Sequence, residues 1–262
     1  MNLTRIKGII LRHLFLFKHS WERVSDSFYW PAMDIVLWGL TSLYIQKSQN
    51  QVSGLVMVFL TGLIFWQVVW RGQYELTVNL LEELWNQNMV NVFCSPFKLS
   101  EWVTGMIGLG FIKMLGSLIF AIVLTLILYT VNLFSFGWLL IPFLILLLMS
   151  GWWVGLLVSG AIVRFGRQIQ TLAWAGVFIL APFSAIYYPV SALPFWAQII
   201  ARMTPISYIF EGMRKVVQSG KIPIFEFLFS FILNLVYLVI SVIVFRQAFA
   251  KSKELGLSRL DD

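Results

Sequence analysis

Apolar residues gather in six long blocks along this chain, and the charged and amide side chains collect in the gaps between them. The blocks cover residues 29–45, 53–70, 102–131, 136–163, 171–188 and 224–245. A helix rises about 1.5 Å per residue and needs roughly 20 apolar residues to cross a hydrocarbon core of about 30 Å, so each block predicts a membrane-spanning helix. Trp30-Pro31 is expected to open the first span, with proline in its first turn. The third block exceeds the core thickness, which leaves Lys113 free to sit near an interface or snorkel toward it. In the fourth, Gly151, Gly155 and Ser159 form a row of small residues suited to close helix contact.

The gaps carry patterns of their own. Leu3, Ile6, Ile10, Leu14 and Phe17 alternate with Arg5, Lys7, Arg12 and Lys18, which predicts an amphipathic helix with a basic face within residues 1–27, lying on the inner membrane surface. Between the second and third spans, Leu76, Leu80 and Leu84 recur at helical spacing opposite Glu75, Asn79, Glu82, Glu83 and Asn86, and Asn86-Gln87-Asn88 predicts a turn. On pattern alone this stretch is either a solvated connector or a docking element. After the fifth span, Pro182, Pro189, Pro194 and Pro205 break the chain into two short amphipathic helices. One carries Phe195, Trp196, Ile199, Ile200 and Met203. The other starts at Thr204-Pro205, carries Ile206, Ile209, Phe210 and Met213, and stops at Gly220. Glu211 can pair there with Arg214 and Lys215. Residues 189–220 therefore predict a hairpin lying in, or dipping into, one interface.

Composition agrees with the pattern: 59% of the 262 residues are hydrophobic and 12% charged, with a mean hydropathy of +0.83. This is the profile of an all-α integral membrane protein, a single transmembrane domain over residues 1–262. The net charge of +7 does not signal nucleic acid, because the basic residues flank apolar blocks and are explained by orientation and anionic lipid. Most Lys and Arg fall on the side of both termini, which the positive-inside rule makes cytoplasmic. Lys47, Arg202, Arg214, Lys215 and Lys221 run against that rule, and an interfacial hairpin tolerates most of them. Arg12 and His13 interrupt the first apolar run and no small-residue cleavage site follows, so the N-terminus is expected to be kept. The lone Cys94 excludes an intrachain disulfide.

Catalytic signatures are missing. No G-x-x-x-x-G-K-[ST] loop, H-E-x-x-H or G-x-S-x-G occurs, so no cofactor is expected in this chain. Asp34 lies at a span edge at a depth similar to Arg71; a structural ion pair and a proton-relay carboxylate are both open. With no acidic residue deep in a span, a proton-coupled pump for cationic drugs is disfavoured. Trp66, Trp70, Trp152, Trp153, Trp174, Tyr187 and Tyr188 either line a path or form an interfacial belt.

The order of these pieces resembles the membrane subunits of type-2 ABC exporters. The resemblance is carried by "SPFKLSEW", Tyr188-Pro189, Leu193-Pro194, Trp196, Thr204-Pro205-Ile206-Ser207-Tyr208 and Glu211-Gly212-Met213-Arg214. It implies a permease of six spans that works as a dimer, with a second copy or a homologous half. A separate nucleotide-binding subunit would hold ATP and Mg²⁺. It further implies a cytoplasmic coupling helix within residues 75–98, with Glu82, Glu83, Leu84, Trp85 and Asn88 at the contact. The basic N-terminal helix becomes the interface helix. The hairpin between spans five and six becomes an external re-entrant gate of Tyr188, Pro189, Pro194, Trp196, Pro205, Tyr208, Glu211 and Arg214. The implied setting is the plasma or inner membrane, and the implied cargo a lipid-like, glycan or drug molecule moving outward. An ATP-independent channel or ion-coupled carrier is the alternative; it calls for internal repeats and polar midplane groups, of which few are seen.

Overall fold

A computed structural model describes residues 1–49 and 55–256, and among these every regular element is helical. The expected start of the second span at Ser53 and the basic Arg259 lie outside the described residues. The helices are α1 (Leu3–His19), α2 (Trp21–Gln49), α3 (Leu55–Trp85), α4 (Met89–Cys94), α5 (Leu99–Tyr129), α6 (Leu140–Phe165), α7 (Leu172–Ala175), α8 (Phe195–Met203), α9 (Pro205–Ser219) and α10 (Ile224–Glu254). Among the described residues, four stretches are both long and apolar enough to cross a membrane: Val56–Trp85, Leu99–Tyr129, Leu133–Ile169 and Ile224–Glu254.

Two expected spans take another form. The first lies inside α2, which starts well before Trp30-Pro31, so Pro31 sits within the helix and not in its first turn. Glu22, Arg23, Asp26 and Asp34 lower the apolar content of its first half. The fifth is not one helix. Residues 172–183 form α7 followed by two short 3₁₀ turns, Gly176–Ile179 and Ala181–Phe183. At about 1.5–2 Å per residue this series falls short of a hydrocarbon core.

α3 corrects a boundary as well. The span expected to end near Trp70 continues without interruption to Trp85, so the stretch from Glu75 onward is the same rod and not a separate excursion. Its polar residues Arg71, Gln73, Glu75, Thr77, Asn79 and Glu83 are buried against neighbouring helices. The turn predicted at Asn86-Gln87-Asn88 follows, with Gln87 at φ 53°.

α3 and α6 form the most extensive contact in the fold. Gly151 is the reason they approach so closely: a Cβ there would stand 2.4 Å from the Val69 carbonyl oxygen and 2.9 Å from the Gly72 Cα. The small-residue row thus serves contact within the chain, and Ser159 extends it by donating to the Leu76 carbonyl (3.4 Å). α10 is tied to α6 through buried Asn234. Its Oδ1 accepts from Ser150 Oγ (2.9 Å) and Trp153 Nε1 (3.2 Å), and its Nδ2 donates to the Leu146 carbonyl (3.3 Å). α1 is capped by Asn2, whose side chain accepts from the Thr4 amide (3.0 Å), and buries Ile6, Ile9 and His13.

Candidate functional site

An aromatic-walled cavity lies between α2, α3 and the broken 172–187 segment. On α2, Asp26, Trp30, Asp34 and Trp38 recur at every fourth position, one stripe of a helix. α3 returns beside it with Trp66, Trp70 and Tyr74 at the same spacing, and Trp174, Phe178 and Tyr187 close the remaining side. The space is about 530 Å³. Trp38 stacks on Tyr187 (centroids 5.3 Å apart), and Trp66 and Phe178 meet edge to face (5.9 Å). Gln67 Nε2 donates to Asp34 Oδ2 at 2.8 Å. Of the aromatic residues singled out in the sequence, Trp66, Trp70, Trp174 and Tyr187 share this wall. Trp153 instead stacks on Tyr237 (4.8 Å), and Tyr188 donates its hydroxyl to the Pro182 carbonyl (2.7 Å).

The expected Asp34–Arg71 pair does not form. Arg71 faces Glu75 (3.4 Å), one helical turn along α3, while Asp34 has the Gln67 amide. Glu75 also receives Lys113 from α5 (2.8 Å) and Asn79 (3.0 Å), so the buried carboxylate lies between two cations. Lys113, expected near an interface, is drawn inward by that contact. Gln73 does a different job. Its Oε1 accepts from the Val177 amide (2.6 Å), and its Nε2 donates to the Ala173 carbonyl (2.7 Å). Both backbone groups lie where the helix breaks, so one side chain from α3 supplies the partners that an unbroken helix would have made.

At the Trp85 end of α3, the five residues assigned to coupling divide. Leu84 is wholly buried. Glu83 is buried, pairs with Arg12 (2.8 Å) and accepts from Asn88 Nδ2 (2.7 Å). Glu82 pairs with Arg23 (2.8 Å). These carboxylates bind α3 to α1 and α2. His13 lies beside Glu83 with its Nε2 3.8 Å from Oε1, and neither ring nitrogen has a hydrogen-bond partner among the described residues. Burial first, then Arg12, holds its pKa down to about 4, so it is neutral at pH 7 and the contact is not an ion pair. Trp85 remains outside, donating Nε1 to Gln170 Oε1 (3.3 Å), and Asn86, Gln87, Val90 and Asn91 are exposed beside it.

In the hairpin, Pro205 stands at the first position of α9, and Gly220 ends the helix at φ 65°, a left-handed conformation that suits glycine. Thr204 occupies the N-cap position, but its hydroxyl donates back to the Ala201 carbonyl (2.8 Å) and caps nothing. Glu211 accepts from the Val190 amide (2.7 Å) and from Arg214 (3.2 Å); Lys215, its other expected partner, pairs with Glu226 of α10 (2.9 Å). Buried Arg214 reaches the Ile186 carbonyl at 3.5 Å. Tyr208 donates to the Arg202 carbonyl (3.0 Å) and stacks on Phe229. Pro189 and Pro194 precede short helical turns, and Trp196 is exposed with its ring edge toward Phe183. The apolar stripe of α9 is buried in the core, whereas that of α8 (Phe195, Trp196, Ile199, Met203) faces outward.

Sequence reasoning did not single out Asp26, Trp30, Trp38, Gln67, Tyr74 or Gln73. For all but the two glutamines a signal existed, the fourfold spacing of acid and ring on α2 and of rings on α3. For Gln73 nothing in the local pattern points to a break a hundred residues later. A search among curated proteins gives no match. The profile of the ABC-2 type transporter family matches residues 16–217, from the end of α1 through most of α9. The chain, with its apolar helices and without a phosphate-binding loop, therefore belongs to the ABC-2 type transporter family and is a multi-pass membrane component of transport.

Proposed function

We propose that this chain is the permease subunit of an ATP-driven exporter that moves a lipid-like, glycan or drug substrate outward, energised by a separate ATPase subunit. The observation that carries the reading is the continuity of α3. One uninterrupted helix bears the cavity residues Trp66, Gln67 and Trp70 and ends at the exposed cluster Trp85, Asn86, Gln87, Val90 and Asn91. Fifteen residues of helix separate Trp70 from Trp85, about 22 Å at 1.5 Å per residue. Force applied at the cluster is delivered to the cavity wall without an intervening hinge.

In this reading six segments cross the plasma or inner membrane: α2, α3, α5, α6, α10 and the 171–188 segment, which crosses by adding the non-helical residues 184–188 to the 172–183 turns; both termini are cytoplasmic. The coupling surface is Trp85 with Asn88, Val90 and Asn91, seated in an ATPase that holds ATP and Mg²⁺. Glu82 and Glu83 act behind it by fastening α1 and α2 to the same end. The hairpin from Tyr188 to Gly220 forms the external gate, and two permease halves make the path. The experiment is co-expression with a candidate ATPase carrying Walker motifs. Trp85→Glu with Val90→Glu changes only exposed side chains, so the chain is expected to fold while complex formation and ATPase stimulation fall at least about tenfold, or 1.4 kcal/mol. Unchanged stimulation sinks the coupling assignment. ATP-driven flux by the lone chain in liposomes sinks the permease reading as a whole.

A further inference from the structure

We infer that the cavity between α2, α3 and the 172–187 segment binds a monovalent organic cation with an apolar body, such as an amphiphilic amine or a quaternary ammonium or phosphonium ion. Asp34 answers its charge, and the rings of Trp38 and Trp66 hold its body. Transport of that cation rests on the permease reading; its binding does not.

Charge carries the inference furthest. Two carboxylates, Asp26 and Asp34, line the space, and no basic side chain lines it among the described residues. Asp26 has a counter-charge nearby, since Arg71 stands behind the wall close enough to act on it electrostatically. Arg71 and Lys113 together face Glu75 and Asp26, so charge at that end is balanced. Asp34, two helical turns farther along α2, has only the neutral Gln67 amide among the described residues. A half-buried carboxylate without a cationic partner is costly to keep in an apolar wall, and a ligand cation removes that cost.

The rings supply the second observation. The wall already holds a cation by its aromatic faces: the Arg71 guanidinium lies 5.0 Å from the Trp70 centroid and 5.3 Å from that of Tyr74. Trp38, one helical turn from Asp34, and Trp66 line the space with rings of the same kind, and Tyr187, stacked on Trp38 (5.3 Å) and on Phe59 (5.9 Å), holds that wall in place. The volume, about 530 Å³, suits a drug-sized molecule. A neutral glycan also stacks on rings, but it leaves the one-signed charge of this wall unanswered. Asp34 looks unpromising in the linear sequence because it stands near a span edge; the fold turns it into the cavity.

The full chain in lipid nanodiscs, titrated with tetraphenylphosphonium by equilibrium dialysis against empty nanodiscs, tests this. Saturable binding is expected, with neutral triphenylphosphine oxide competing at least about tenfold more weakly. Asp34→Asn, which keeps an acceptor for Gln67, is expected to weaken the cation at least about tenfold and leave the neutral compound unchanged, whereas Asp34→Glu retains the preference. No saturable binding above empty discs overturns the inference. So does equal binding of cation and neutral analogue, an unchanged Asp34→Asn, or maltotriose occupying the site in place of the cation. Should Asp34→Asn fail to fold, the competition on the unsubstituted chain decides. None of these readouts involves an ATPase, so cation binding that survives loss of ATPase coupling indicts the permease reading alone, and the reverse result indicts only the ligand class.

Discussion

Gln73→Met is the sharpest test of how a broken helix is held inside this fold. Methionine has nearly the volume and helix propensity of glutamine, so the packing of α3 and its helical preference stay close to the original. What disappears is the acceptor for the Val177 amide (2.6 Å) and one of two donors to the Ala173 carbonyl (2.7 Å). The carbonyl keeps Thr77, whose Oγ1 also donates to it at 2.7 Å. The amide loses the acceptor Gln73 gives it in a wholly buried place, and an unsatisfied buried donor costs about 1–3 kcal/mol. Thr77→Val removes the Gln73 Nε2–Thr77 Oγ1 contact (3.3 Å) but leaves both bonds from Gln73 to the broken segment, and is expected to cost under about 1 kcal/mol. The double variant strips both donors from the Ala173 carbonyl, so it is expected to exceed the sum of the singles by about 1 kcal/mol. Unfolding of the purified chain in one detergent, followed by circular dichroism across an SDS or temperature gradient, measures all four corners of this cycle. Gln73→Met within about 0.5 kcal/mol of the original chain, or strict additivity in the double variant, would refute the claim that this side chain supports the break.

Three further outcomes follow from the same geometry. Gly151→Ala puts a Cβ against the Val69 carbonyl and the Gly72 Cα, backbone atoms that cannot step aside, so the α3–α6 contact is expected to lose about 1–3 kcal/mol, read as a lower unfolding midpoint and faster proteolysis. Arg23→Glu and Glu82→Arg each leave a like-charged, partly buried pair and are expected to destabilise by about 1 kcal/mol, while the double reversal restores most of it. His13 gives a pH dependence of defined sign. Its folded pKa of about 4 lies below the ordinary 6.5, so above pH 6.5 both states are neutral and stability is full. As pH falls from 6.5 toward 4 only the unfolded chain takes the proton, and up to about 3 kcal/mol is lost at about 1.4 per pH unit, a loss that His13→Phe abolishes relative to the original chain.

Much of the membrane core was legible because burial in lipid leaves one dominant signal, long apolar runs, and α5, α6 and α10 grow directly from it. The bounds of α9 were legible for a local reason: Pro205 fixes its first turn, and Gly220 takes the left-handed conformation that ends it. Where the reading went astray, the cause is tertiary. α3 reads as a span followed by a polar excursion because Arg71, Glu75 and Asn79 look solvated in one dimension; in the fold they meet Lys113 and one another in the interior. Glu83 reads as a surface acid for the same reason until Arg12, 71 positions earlier, arrives beside it. The 171–188 block is apolar enough for a helix, and its break depends on Gln73 offering an acceptor and a donor that no local rule foretells. Depth along α2 makes Asp34 an edge residue in the sequence, whereas the direction it points is set by the stripe it shares with Trp30 and Trp38.

These misreadings concern the same helix and its immediate partners, which bears on mechanism. α3 is unbroken through the whole stretch where its sequence turns polar, and the polar residues there fasten several neighbours. Gln73 and Thr77 hold the broken segment, Glu75 holds α5, and Glu82 and Glu83 hold α2 and α1. Such a rod cannot tilt without carrying those neighbours along or breaking buried bonds of about 1–3 kcal/mol each. The 172–183 segment opposite it has short 3₁₀ turns, which rearrange at lower cost than a continuous helix. Under the proposed function, displacement of the Trp85 end would therefore move α3, α1 and α2 together and be taken up at the cavity's third wall, where Trp174, Phe178 and Tyr187 stand on the broken backbone. Gln73 lies at the joint between the two. Its removal should then uncouple ATPase stimulation from cation release while leaving each separately measurable, a split that a purely structural role for this residue would not produce.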